Sequence, residues 1–225
     1  MITLYTALGN YKLNINGLPT ITVGEQEYTL DTHELILWTI LAFRILTYQE
    51  LKQEFYAKER ELHILGEQDF DHYLNRLRVR KLVVSGQDYT GVDALYSLIG
   101  HLHVEMIPDN LLIKIISFLK LYLFSKMPFK KAFMVFHFEK LDALEKQILS
   151  LVRHQTLSTA ELILCVQNGK TNLRNSDELI NLLYSDEHTD CENIISDCRV
   201  NDLRYPLLTA IVNLYFKQKI TFCIV

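Results

Sequence analysis

Apolar and polar residues alternate at the start of this chain and recur at helical spacing farther along it. Thr20-Ile21-Thr22-Val23 and Glu27-Tyr28-Thr29-Leu30 alternate with a period of two about Gly24-Glu25-Gln26, which predicts a short hairpin, and Asn16-Gly17 is a turn signal. From Asp31 the period lengthens. Asp31 with Glu34 has the form of a capping box: the first side chain accepts a backbone amide and the second reaches back three residues. Leu35, Ile36, Trp38, Thr39, Leu41 and Ala42 follow as an apolar helix to about Ile45. Thr47 with Glu50 repeats the box and opens a second helix, with Leu51, Phe55 and Leu62 turned inward and Gly66 breaking the pattern. A third helix is predicted over about 68–81, then a strand over Leu82–Gly86 and a turn over Gln87–Gly91. Beyond Gly91 two readings stand. A returning strand would complete a second hairpin, whereas Ala94, Leu95, Leu98 and Ile99 fit a helix capped by Asp93.

Pro108 suits the first turn of a helix running to about Ser125, with Pro128 past its end. From Phe138 the pattern is helical, over Leu141–Val152, Ser158–Val166 (opened by a Ser158/Glu161 box), Ser176–Tyr184 and Leu207–Lys217. The predicted fold class is mainly α with small β. Its predicted parts are an N-terminal domain over 1–107, a connecting helix and linker over 108–137, and a helical domain over 138–225. No clean internal repeat is visible, although each half holds a long helix followed by a capped one.

Composition narrows the chemistry. The chain has 225 residues, 49% hydrophobic and 22% charged, with a formal charge of −4, and this balance argues against non-specific coating of nucleic acid or anionic membrane. Cys165, Cys191, Cys198 and Cys223 form no CxxC pair and no secretion signal is evident, so free thiols in a reducing cytoplasm are expected. The most apolar run, Leu111–Phe124, is interrupted by Lys114 and Lys120 and is too short to span a bilayer comfortably. That run would form either a homodimer contact or a contact between the halves of one chain. His188-x-x-Cys191 with Cys198 is the one cluster of metal-like residue types. Its irregular spacing fits half-buried cysteines better than a zinc site, and no metal or cofactor is expected. No zincin, P-loop, nucleophile-elbow or dinucleotide motif is present, so catalysis is the weaker expectation.

The order strand, strand, helix, helix, helix, strand, turn is the winged-helix plan with an N-terminal sheet. Residues 20–91 resemble the effector domains of OmpR/PhoB-type response regulators. The likeness lies in the hairpin leading into Thr32-His33-Glu34, in Phe70–Arg78 with its Arg-Leu-Arg close, and in Val84–Tyr89, which is similar to that family's wing. There is no receiver domain in this chain, and Asp88 replaces the second wing glycine, so phosphorylation-driven activation is not implied. What the resemblance implies is contact with duplex DNA.

The third helix supports that reading without the family. Phe70, Leu74 and Leu77 fall on one stripe, leaving His72, Asn75, Arg76, Val79 and Arg80 on the other. Arg forks onto guanine and Asn onto adenine, so Asn75, Arg76 and Arg80 are expected to read bases. Arg78 and Lys81 are placed to hold phosphates, and Tyr89 to touch backbone or minor groove. One reading of the C-terminal domain is a second helix-turn-helix or winged helix, built from Glu145-x-x-Ile148-Leu149, Ser158–Val166 and Ser176–Leu183, but after Leu141 the chain carries 8 basic against 11 acidic residues, which points that half toward docking or dimerisation. The leading expectation is a transcriptional regulator that binds double-stranded DNA. The alternatives are a winged-helix protein-interaction or assembly module and a replication or mobile-element protein.

Overall fold

The structure, a computed structural model, describes residues 1–13, 18–64, 68–107, 140–186 and 189–224. The predicted helix over 108–125, its dimer contact and the Asn16-Gly17 turn lie outside the described residues. Among the described residues the protein is mainly helical, with three small antiparallel sheets.

The first half begins with β1 (Ile2–Ala7), β2 (Asn10–Leu13), β3 (Pro19–Val23) and β4 (Gln26–Thr29). The expected hairpin is β3–β4, with Val23 opposite Gln26, and β2 extends it to a sheet of order β2-β3-β4. Helix α1 (Thr32–Leu41) starts at the predicted box, where Asp31 accepts from the Glu34 amide at 2.9 Å and Glu34 accepts from the Asp31 amide at 3.1 Å. Then come the two-residue strand β5 (Leu46–Thr47), α2 (Tyr48–Leu62), α3 (Phe70–Val79) and β6 (Val83–Asp88). The Thr47/Glu50 box caps α2 as predicted. β1 forms the middle of the second sheet, whose order is β5-β1-β6.

Leu37, Leu41, Leu51, Phe55, Phe70, Tyr73, Leu74 and Leu77 are buried together as one core between the three helices and this sheet. Leu62, predicted to face inward, is 50% exposed because it closes the last turn of α2.

After β6 the chain turns into a helix and not a returning strand. Helix α4 (Gly91–Ile99) is capped by Thr90, with Asp93 in its first turn. Gly86 makes this possible, since a Cβ there would lie 2.1 Å from the Leu98 nitrogen. Tyr96, Leu98 and Ile99 of α4 are buried with the second half.

Strand β7 (His103–Met106) lies on the N-terminal side of the expected boundary at residue 107, yet it pairs with β8 (Leu157–Ser158) and β9 (Ile220–Cys223). The remaining helices are α5 (Ala143–Leu151), α6 (Thr159–Gln167), α7 (Ser176–Leu183), α8 (Cys191–Asp197) and α9 (Arg204–Phe216). A single 3-10 turn, Cys198–Val200, follows α8.

The second half repeats the order of the first: strand, helix, two-residue strand, helix, a later helix, closing strand. Its sheet order, β8-β7-β9, matches β5-β1-β6 position for position. The helices α1 and α5 both begin with an Asp-x-x-Glu box, and α2 and α6 with a Thr/Ser-x-x-Glu box. In both units the two N-caps stand sixteen residues apart, Asp31 to Thr47 and Asp142 to Ser158. After α3 and α9 comes the same left-handed residue, Lys81 at φ 56° and Gln218 at φ 55°. The paired boxes keep the same spacing in both units, but the rest of the repeat is hidden from a reading of the sequence, because the closing helix caps 46 residues after Glu34 in one unit and 72 after Glu145 in the other.

Tyr215 joins the units. Its buried hydroxyl lies 2.9 Å from Thr6 Oγ1 and accepts from the Phe43 amide at 3.0 Å. Gly86→Ala is expected to lower unfolding free energy by about 3 kcal/mol or more, since backbone must move to admit the methyl. Gly91→Ala, with nothing within 4 Å of the added carbon, should change urea unfolding little.

Candidate functional site

Helix α3 turns the predicted stripe inward and adds Tyr73 to it. His72, Asn75, Arg76 and Arg78 are exposed on its outer side, and Val79 is 84% exposed. The outer residues His72, Asn75, Arg76, Val79 and Arg80 line a shallow groove of about 410 Å³. Lys81 is exposed just past the helix end. Tyr89, 79% exposed, sits at the β6–α4 corner and not on a wing, because no returning strand follows β6.

The arginine row is not free. Glu34, fully buried at the first turn of α1, receives Arg76 Nε at 3.0 Å and the Arg80 guanidinium as well. Arg76 Nη1 also reaches Asp31 at 3.2 Å, and Arg80 Nη1 donates to the Thr29 carbonyl at 3.4 Å. The Arg76 side chain is 49% exposed and the Arg80 side chain only 23%. Both stand on the outer stripe as expected, but neither is free in solvent to read a base. The helical phase is right, but long guanidinium stems bend back to neutralise a carboxylate buried with its charge.

The second unit has the same arrangement. Glu145, 1% exposed, stands where Glu34 does and accepts from Lys217 Nζ at 2.7 and 2.9 Å. Lys217 is the C-cap of α9, as Arg80 is of α3. Four residues earlier, where α3 has Arg76, α9 has Asn213. Neither acidic partner was found by reading the sequence for a site, although Glu34 was placed in its box. Asp142 with Glu145 obeys the same capping rule and was legible by it. The outer side of α9 carries Tyr205, Thr209 and Phe216, all exposed and uncharged.

His33 lies between all three helices of the first unit. Its ring stacks on Tyr73 with centroids 4.9 Å apart, and Nε2 is 3.4 Å from Glu59 Oε1. Burial raises the Glu59 carboxyl above its ordinary value, opposed by the charge of His33. The cysteines are free thiols. Cys198 is buried and its Sγ is 3.5 Å from the Ala160 carbonyl, while burial pushes its thiol up to about 11. Cys191 is exposed beside the Tyr184 hydroxyl, and His188 lies outside the described residues. Among the described residues no group of three or more His, Cys, Asp or Glu side chains is placed to hold a metal ion, and no helix is long and apolar enough to cross a membrane. Comparison with protein-family models, with curated proteins and with solved structures gives no significant match.

Two outcomes follow from this geometry. Arg76→Ala with Arg80→Ala is expected to lower stability by about 3–5 kcal/mol, because Glu34 would be left buried without a cation. Arg76→Ala alone should cost less than about 1 kcal/mol by denaturant titration, as its pairing is half in water. Glu59 acts in the opposite sense to a paired carboxylate. Its raised value means that the folded protein holds the proton more tightly, so its contribution is present at low pH and lost as pH rises through the folded value. Thermal melts of Glu59→Gln should therefore gain on the parent protein as pH rises from acid toward neutral.

Proposed function

We propose that this chain is a non-catalytic binding module of two tandem units related to the winged-helix plan, the first without a wing strand after β6, and that α3 of the first unit meets a protein partner. One observation carries the reading: the two arginines expected to read bases, Arg76 and Arg80, share a buried carboxylate. The charge of Arg80 is spent inside the fold and that of Arg76 is divided between Glu34 and the exposed Asp31, whereas specific DNA binding draws much of its affinity from cations free to replace counterions. The uncharged outer face of α9 and the acidic balance of the whole chain lean the same way. A cytoplasmic setting belongs to this reading, since all four cysteines are free thiols.

The second reading, a duplex-DNA regulator, keeps one specific support. His72, Asn75, Arg78 and Lys81 are exposed along one helix and its end. A single experiment separates the two. A benzophenone amino acid replaces Val79, the exposed apolar side chain of the groove at the end of α3, and cells making the full chain are irradiated. The protein-partner reading predicts an adduct that resists nuclease and yields partner peptides on digestion. An adduct removed by nuclease would overturn it in favour of DNA. Duplex binding by the purified chain should, on the protein-partner reading, match that to heparin and vary little with sequence. A DNA reader neutralising five phosphates would show a log–log salt slope of about −4.5.

A further inference from the structure

We propose that the α3 groove takes an acidic segment of its protein partner, and that Arg76 leaves Asp31 to meet the partner's carboxylate. This rests on the protein-partner reading above and names the chemistry of the partner. The groove is lined by His72, Asn75, Arg76, Val79 and Arg80, with no carboxylate among them; Arg80 is held by Glu34, which leaves His72, Asn75 and Arg76 as donors beside one exposed apolar side chain. Arg78 and Lys81, exposed beside it, add positive field over the same end of the helix. Such a lining complements an acidic residue next to an apolar one.

The repeat in the fold tells the two arginines apart. Glu145 in the second unit is satisfied by one cation, Lys217, at the C-cap of its helix. Arg80 occupies the same place and suffices for Glu34 in the first unit. Arg76 is a second cation on one carboxylate, and its counterpart Asn213 shows that the fold does not require it. Its other partner is Asp31, and the two side chains are 49% and 40% exposed. An ion pair so wet contributes little, so a partner carboxylate displaces it at small cost. A bidentate arginine–carboxylate pair is stronger than the single Nη1 contact with Asp31 that it replaces.

The test uses the full chain and a displayed library of random twelve-residue peptides. Enriched peptides are expected to carry Asp or Glu next to an apolar residue. Arg76→Gln should weaken their binding by about tenfold or more while shifting the melting temperature by no more than about 3 °C, and Arg76→Lys should recover part of the loss. Arg80→Lys, which copies the second unit, should melt like the parent. Enrichment without acidic bias, no enrichment at all, or equal binding by Arg76→Gln would overturn the acidic segment. Those results leave the protein-partner reading standing wherever the Val79 adduct is protein. A nuclease-sensitive adduct removes both.

Discussion

A carboxylate with no access to water has to find a cation, and in this fold Glu34 and Glu145 draw theirs from the far end of another helix. Each sits at the first turn of the leading helix of its unit and closes a capping box there. The box satisfies backbone amides but leaves the charge uncompensated. Arg80 and Lys217 supply the compensation from the C-caps of α3 and α9. Each pair ties the beginning of one helix to the end of another, and so fixes how the outer helix lies on its unit. A buried pair of this kind adds little net stability over an apolar pair of the same volume. Breaking it is costly, which is why it constrains the position of α3 more than it stabilises the chain.

The same constraint decides what α3 can offer. Apolar side chains hold its inner stripe, the clamp holds its end, and only the middle of the outer face is left to a partner. The two units are themselves locked, through the Tyr215 hydroxyl and through α4, whose Tyr96 donates to the Ile195 carbonyl at 2.6 Å. Arg204 reaches Asp93 at 2.9 Å across the same seam. The outer faces of α3 and α9 are therefore parts of one body and differ in character, polar on one and aromatic on the other.

What was legible in the sequence is what is local. The Asp31/Glu34, Thr47/Glu50 and Ser158/Glu161 boxes each span four residues, and each caps a helix where expected. The inward phase of Phe70, Leu74 and Leu77 follows from spacing alone. What was hidden is non-local. Arg80 and Glu34 are separated by 46 residues. The middle strand of the β5-β1-β6 sheet comes from the N-terminus, and its partner β5 is two residues long. No periodicity announces either. The choice between strand and helix after Gly91 turned on Gly86, whose missing side chain lets α4 lie against β6. The candidate site was legible as a face but not as a charge state. Seven residues were named for it, and the side chains that neutralise two of them lie in α1 and its cap.

The placement of α3 requires that Arg80 be part of the fold and unavailable to a partner. A double-mutant cycle over Glu34→Gln and Arg80→Gln, run beside Glu145→Gln and Lys217→Gln, measures this directly by denaturant unfolding. The expected coupling energy is on the order of 1–3 kcal/mol in both units, with the same sign. A coupling below about 0.5 kcal/mol for Glu34 and Arg80, with a full coupling for Glu145 and Lys217, would contradict it and return the arginine row to solvent.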